Sequence, residues 1–444
     1  MATGAKPKVL FICHNHPAIR PGGAEGYALD LYNALDCAGE FEPVFLARAD
    51  SEADLGLSPH EGTPISAVNG DPNQYFIYTG LSDWDWLFCR YPDKTHLTRH
   101  YRDFLLAHRP DIVHFQHTMF LGYDMIRVTR NTLPDVPIVY TLHEYMSICY
   151  RGGQMVRTNG NDLCRRESAR RCHECYPQHS TQTFFMRKRF IQSHLSLVDL
   201  FLTPSRYALE QYVEWGIPRH KIRVTDHGFK PPVNVPDDDP REKRPRNRFG
   251  YFGQFTPTKG ADVLLEAMSR LGDDFDGHLW VHGANLENQP DDFREQLTEL
   301  IEAAGNKITL VGSYDHSDLA KLMSRIDWVV IPSIWWETGP LVVGEAFLHG
   351  RPVICSDIGG MSERVENGVN GLHFTRKDPD SLADTMRRAA TKRDLWDKLR
   401  GGIPQVQMMD DHAEMISGMY RELLEDRDPG APPLMAGAGR GERG

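Results

Sequence analysis

Short, nearly continuous apolar runs alternate with longer amphipathic segments along most of this chain, and that alternation restricts the fold more than any other feature. The runs include "KVLFIC", "PVFLA", "DIVHFQ", "PIVYTLHE", "VDLFLTPS" and "KIRVTDHG", and segments of helical periodicity such as "AEGYALDLYNALDCAG" and "SRYALEQYVEWG" lie between them. Strands apolar on both faces must be covered on both faces, so the pattern predicts a parallel sheet between layers of helices. The alternation breaks over residues 230–248, where proline and charge replace large apolar side chains, as in a linker or a surface loop. It restarts with "RFGYFGQ", "HLWVHGAN", "KITLVGS", "DWVVIPS" and "PVICSD". The expectation is an α/β chain of two doubly wound, Rossmann-like units facing a central cleft, and 444 residues are enough for two cores.

The expected boundaries are a first unit over 1–230, a linker over 231–247, a second unit over 248–405 and a C-terminal helix over 406–426 that can return to the first unit. The tail over 427–444 has too little apolar content to fold. A net charge of −11 argues against a nucleic-acid binder. No apolar run approaches the roughly 20 residues that span a bilayer. "MATGAKPKVLFIC" enters a strand with no signal-peptide pattern. These features place the protein in the cytoplasm and are compatible with peripheral membrane contact.

The stretch "IPSIWWETGPLVVGEAFLHGRPVICSD" carries two glutamates, Glu337 and Glu345, around a strand-to-helix turn. Free amides at a helix start favour a phosphate. Gly339 permits close approach, and Pro340 suits the first turn because its missing N–H costs little there. Glu337 at the cleft mouth and Glu345 on the first helical turns can bond hydroxyls on either side of a phosphate, the layout of a nucleotide sugar. Two further strand–loop–helix stretches can approach a diphosphate: "VLFICHNHPAIRPGGAEGYALDL", with Gly22 and Gly23, and "GYFGQFTPTKGADVLLEAM", with Lys259. Glu25 is read as a helix cap or a substrate contact. His14 and His16, at the first strand's end, are read as facing substrate, with a metal pair as the alternative.

Four of the eight cysteines, Cys149, Cys164, Cys172 and Cys175, cluster after the fourth of these runs, in an insertion over 145–180. Four thiolates with a C-x2-C end suffice for a closed tetrahedral zinc site. Two disulfides, an iron–sulfur cluster or four free thiols are the alternatives, and His173 or His179 can replace one ligand. Cys13, Cys37, Cys89 and Cys355 are read as small buried hydrophobes. The insertion's arginines (Arg151, Arg157, Arg165, Arg166, Arg170 and Arg171) form either a solvated face or a clamp for an anionic acceptor. "FFMRKRF" (184–190) is either a core-facing helix or a membrane contact.

The glutamate stretch resembles the E-x7-E signature of retaining glycosyltransferases of family 4, which have the two-Rossmann GT-B fold. "RPGGAEGYALDLYNAL", "YFGQFTPTKGADVLLEAM" and "SDIGGMSERVENGVNGLHF" resemble that family's N-terminal glycine loop, its donor-phosphate loop and the segment after the signature. The resemblance covers nearly the whole chain. It implies a first domain that holds the acceptor and a second that holds the nucleotide. Glu337 is then on the donor sugar, Glu345 on the ribose, and His143 beside the reacting centre. Lys259 neutralises the leaving diphosphate, with Gly22, Gly23, Gly253, Gln254, Gly260, Thr338, Gly339, Pro340 and Leu341 around the donor. Reaction on one sugar face needs neither a carboxylate nucleophile nor a catalytic metal, so a structural zinc is the only cofactor expected.

The implied activity is transfer of a hexosyl or related sugar from a nucleoside-diphosphate sugar to the hydroxyl of a glycan, a lipid-linked sugar or a small molecule. The resemblance breaks at Gln254, where the family usually has arginine. A glutamine cannot supply a charged fork, so either Lys259 and the backbone suffice, or another cation such as Arg20 or Arg206 enters the cleft, or the chain is a nucleotide-sugar-binding protein of weakened catalysis. Another GT-B enzyme, such as a nucleotide-sugar epimerase or a phosphorylase, is a further alternative. "DHGF" (Asp226 to Phe229) is expected at the turn leading out of the first domain.

Overall fold

The structure is a computed structural model that describes residues 6–20, 22–49, 64–233, 235 and 245–426. Most of the expected linker and the whole expected tail lie outside the described residues. The first sheet comprises β1 (Lys8–Cys13), β2 (Glu42–Ala49), β3 (Ile65–Ala67), β4 (Gln74–Tyr78), β5 (Ile112–Phe115), β6 (Ile138–Thr141), β7 (Leu200–Thr203) and β8 (Ile222–Val224). Their spatial order is β3-β4-β2-β1-β5-β6-β7-β8, and every pair is parallel except β3 with β4. The second sheet comprises β9 (Arg248–Phe252), β10 (His278–His282), β11 (Ile308–Gly312), β12 (Trp328–Ile331), β13 (Val353–Ser356) and β14 (Gly371–Phe374). Its order is β11-β10-β9-β12-β13-β14, all parallel.

β1 explains why its run is apolar throughout. Leu10 and Ile12 enter the core on one face with Val113 and Phe115. Val9, Phe11 and Cys13 enter the other with Phe45 and Ala47. A polar residue at any of these positions would face a dry layer.

The second of these cores is completed by the chain's last helix, Met409–Glu425, through Met409, Ala413, Ile416 and Tyr420. The C-terminal helix therefore returns to the first domain. Burial of Ile416 alone is worth about 1.5–3 kcal/mol. Two side-chain hydrogen bonds fix the helix: Tyr420 Oη to His114 Nδ1 (2.6 Å) and Tyr27 Oη to His412 Nε2 (2.7 Å). The two chain crossings between the domains are bonded to each other, Phe229 N to the Gln407 carbonyl (3.0 Å) and Met409 N to the Phe229 carbonyl (2.8 Å).

Cys13, Cys89 and Cys355 are buried as expected, but Cys37 is exposed on the helix Gly23–Ala38. Within "FFMRKRF" the core-facing reading holds in part. The helix Thr181–Leu195 buries Phe184 and Arg187 while Phe185 and Met186 are exposed. Arg187 donates to the carbonyls of Leu87 (2.8 Å) and Ser147 (2.9 Å), which ties the insertion's first residues to the sheet edge. No helix among the described residues is long and apolar enough to cross a membrane.

Candidate active site

Because the strands are parallel, the loops that follow them open on one edge of each sheet, where open α/β sheets take their ligands. The two edges meet. Thr338 Oγ1 donates to the His143 carbonyl across the cleft (2.6 Å). A side chain at Gly23 would stand 3.1 Å from Leu341 Cδ1, and one at Gly339 would stand 2.6 Å from Pro204 Cβ. Glycine at 339 is therefore required by the approach of the two domains.

On the second-domain edge, β12 runs into Pro332–Pro340 and then the helix Leu341–Leu348. Glu337 is buried rather than standing free at the cleft mouth. Its Oε1 accepts from Lys259 Nζ (2.7 Å), Ser333 Oγ (2.8 Å) and Trp335 Nε1 (2.7 Å). Lys259 ends the short 3-10 turn after β9 and also lies over the Trp335 ring at 5.3 Å. Gly260 follows at φ +68°, against the Pro332 carbonyl, a left-handed and crowded position that excludes a side chain. Gly253 and Gln254 precede the turn; Gln254 is exposed, and its carbonyl accepts from Tyr251 Oη (2.9 Å). Glu345 lies one turn into the helix, where its Oε1 meets His316 Nε2 at 3.1 Å. The hydrogen bond to Glu345 pushes His316 above the ordinary histidine range.

The first-domain edge is lined with histidines. His14 Nε2 pairs with Glu25 Oε1 (3.0 Å) and His117 Nε2 with Glu144 Oε1 (3.4 Å), and the His14 and His117 rings are 4.2 Å apart. Burial and then the neighbouring His117 push His14 down, against the pull of Glu25. Burial acts to raise Glu25, but the hydrogen bond and charge of His14 outweigh it and leave the carboxyl below its usual range. His143 Nε2 bonds Gln116 Oε1 (3.0 Å), and desolvation pushes its pKa down to about 3. His143 stacks parallel to His227, whose burial likewise drives it well down. His16 instead bonds Gln74 (3.1 Å). Gly22 caps the helix Gly23–Ala38 with extended backbone, and the Glu25 carboxylate in the first turn accepts from its own backbone amide.

The structure thus brings together His143, Thr338, Gly339, Glu337, Lys259, Gly23 and Leu341, with Glu345 further along the helix. Arg20 and Arg206 are exposed, and the guanidinium beside the turn is Arg364. It pairs with Asp226 of "DHGF", and its Nη2 would stand 3.4 Å from a side chain at Gly339. Sequence reading missed Arg364, Gln116, Ser333 and Trp335. Ser333 and Trp335 had a signal, being the polar and indole groups just before Glu337; the pairing of Arg364 with Asp226 had none.

Cys149, Cys164, Cys172 and Cys175 line one small cavity. As the side chains stand, no three His, Cys, Asp or Glu among the described residues are grouped to hold a metal. Several of the insertion's arginines are engaged locally, Arg157 with Glu174 (2.7 Å), Arg166 with Glu214 (3.1 Å) and Arg151 with the Arg157 carbonyl (2.8 Å). That engagement weakens the case for an anion clamp.

The family model described as "Glycosyltransferase Family 4" matches residues 21–231, and that described as "Glycosyl transferases group 1" matches residues 246–392. A glycogen synthase of Mycobacterium tuberculosis is 25% identical over 395 residues, 86% of this chain and 85% of its own length. An uncharacterized glycosyltransferase of Methanocaldococcus jannaschii is 31% identical over 157 residues, 35% of this chain and 37% of that protein. Among solved structures, Anabaena HepE in complex with UDP and glucose superposes with a TM-score of 0.65 at 19% identity, over 94% of this chain and 100% of that one. Sucrose-phosphate synthase of Thermosynechococcus elongatus gives 0.68 at 19% identity, over 94% and 99%. These structures share the GT-B fold with this chain.

Proposed function

We propose that this chain, which belongs to the group 1, family 4 glycosyltransferases, transfers a sugar with retention from a nucleoside-diphosphate sugar to an acceptor hydroxyl, and does so in the cytoplasm. The observation that carries the reading is Glu337, whose carboxylate is fixed by Lys259, Ser333 and Trp335 at the entry to the helix Leu341–Leu348. A pre-set carboxylate beside a helix N-terminus suits sugar hydroxyls on one side and a diphosphate on the other. Lys259 and the turn amides of Gly339, Pro340 and Leu341 stabilise charge on the departing diphosphate, and Glu345 takes the ribose. Gly22, Gly23, Gly253, Gln254, Gly260 and Thr338 line the donor's path. His143, neutral and bonded to Gln116, orients the sugar next to the acceptor.

In the transfer the bond from the anomeric carbon to the phosphate oxygen breaks. The acceptor oxygen bonds the same face, and its proton passes to that phosphate oxygen. Two observations support the reading: the cation lies beside the carboxylate, and the acceptor-side histidines are held toward the neutral form. The acceptor is a glycan, a lipid-linked sugar or a small molecule.

A thermal-shift screen against UDP, GDP, ADP and their sugar conjugates tests it. A selective rise in melting temperature that vanishes in Glu345→Ala supports the donor site, and no rise with any nucleotide counts against it. With the donor found, NMR of the product's anomeric centre decides retention.

A further inference from the structure

The insertion after β6 packs its first residues into the core, among them Tyr145, Ile148, Met155 and Val156, but buries no residue over 157–180. Its helix, Ala169–Cys175, buries none of its residues, and such a segment needs a cross-link or a metal to stay ordered. Even so, its backbone makes fixed contacts with the other domain. Lys377 Nζ donates to the Gly160 carbonyl (2.8 Å), Arg376 to the Asn161 carbonyl and Trp336 Nε1 to the Cys164 carbonyl (3.2 Å). Trp336 directly precedes Glu337 and stacks on Tyr207 of the first domain at 4.8 Å. The insertion is a strap across the cleft, ending on the loop that carries Glu337.

At the root of the strap Cys149, Cys164, Cys172 and Cys175 line one cavity, with Tyr150, Val156, Tyr176 and the arginines Arg151, Arg157 and Arg171 among its other walls. Cys172 and Cys175, three apart on one helix, supply one pair of sulfurs on a common face, and Cys149 and Cys164, on two separate irregular segments, supply the other pair.

We propose that these four cysteines bind one zinc ion as a closed thiolate site and that the ion holds the strap against the Glu337 loop. No three of the side chains are yet gathered around a point, so the ion is met by rotation of the thiol groups into the cavity that they line. Each sulfur binds as thiolate and its proton goes to solvent; nothing is oxidised or reduced.

Metal analysis of the full chain, purified without chelator, tests the site. The expected result is one zinc per chain, released as a mercurial titrates four thiols beyond the exposed Cys37, and lost from Cys175→Ser. Cobalt(II) exchanged into the unaltered chain should give intense thiolate charge-transfer absorption, which keeps the test decisive if the variant does not fold. A chain that holds no zinc and takes up neither zinc nor cobalt overturns the proposal, whether mass analysis then finds free thiols or two disulfides. For the strap, hydrogen exchange at 157–166 and at 335–338 should quicken together when zinc is removed; quickening in the first alone overturns that part. None of these readouts involves a sugar donor, so the site is tested separately from the proposed reaction.

Discussion

On the first-domain wall of the cleft, His14, His143 and His227 are driven toward the neutral form by burial, whereas the second-domain wall is built of ion pairs, Lys259 with Glu337 and His316 with Glu345. Both walls hold carboxylates, but Glu25 and Glu144 on the first face histidines, whereas Glu337 on the second faces a lysine. A dry wall keeps polar groups cheaply when they are neutral and hydrogen-bonded, which suits an acceptor hydroxyl. Fixed charges are worth most where charge develops during reaction and nothing has to reorganise, which suits a diphosphate. The difference teaches that two largely parallel sheets can present different electrostatics at corresponding edges.

The division is broken or sharpened most directly at Lys259. Lys259→Ala should lower sugar transfer by roughly 10²–10³-fold, the scale for removing one pre-set donor, while circular dichroism stays unchanged. If His143→Ala cost more than Lys259→Ala, the charged wall would not be the main source of catalysis.

The next largest effect is on stability. His114 and His143 titrate at about 3 in the fold and His412 at about 4, against about 6.5 unfolded. Their folded values are depressed, so their contribution is complete above pH 6.5 and is lost as pH falls below it. Each removes up to about 1.4 kcal/mol per pH unit in that window. Urea midpoints should therefore drop steeply from pH 7 to pH 5, and flat midpoints would break the comparison. His316 has the opposite sign: its pair with Glu345 is intact below pH 6.5 and weakens as pH rises through its raised value.

A smaller effect is expected where the walls touch. Glu363 caps the helix Arg206–Trp215 from the other domain, accepting from the amides of Arg206 and Tyr207 (both 2.9 Å). Glu363→Ala should destabilise by about 0.5–2 kcal/mol and enlarge the radius of gyration in X-ray scattering as the domains part. The smallest is Gln254→Arg. With Gln254 exposed and Lys259 already paired to Glu337, a new guanidinium should change turnover only modestly; a large gain would mean that the charged wall is incomplete as it stands.

The architecture was legible because strands buried on both faces leave continuous apolar runs, as in Leu10–Ile12 and Val329–Ile331. The candidate site was legible where its residues fall in one short stretch after a strand, as with Glu337, Gly339 and Glu345. What escaped were contacts between distant segments. Arg364 meets Asp226 over 138 positions and Tyr27 meets His412 over 385, and such pairings leave no periodic trace. Burial escaped as well: Cys37 and Cys13 look alike in sequence, yet one faces solvent and the other the core. Glu337 reads as a group at the cleft mouth, and nothing local announces that Lys259, 78 positions earlier, folds back onto it.

The returning terminal helix also sets a timetable for the ribosome. Met409 follows Val224, the last residue of the first sheet, by 185 positions. At roughly 5–20 residues per second, the completed sheet waits about 10–40 s for the helix that covers Val9 and Phe11. Through that interval a greasy face of the nascent first domain stands open. It is the surface that a chaperone would be expected to shield, and the one on which translation halted before residue 409 would leave the product prone to aggregate.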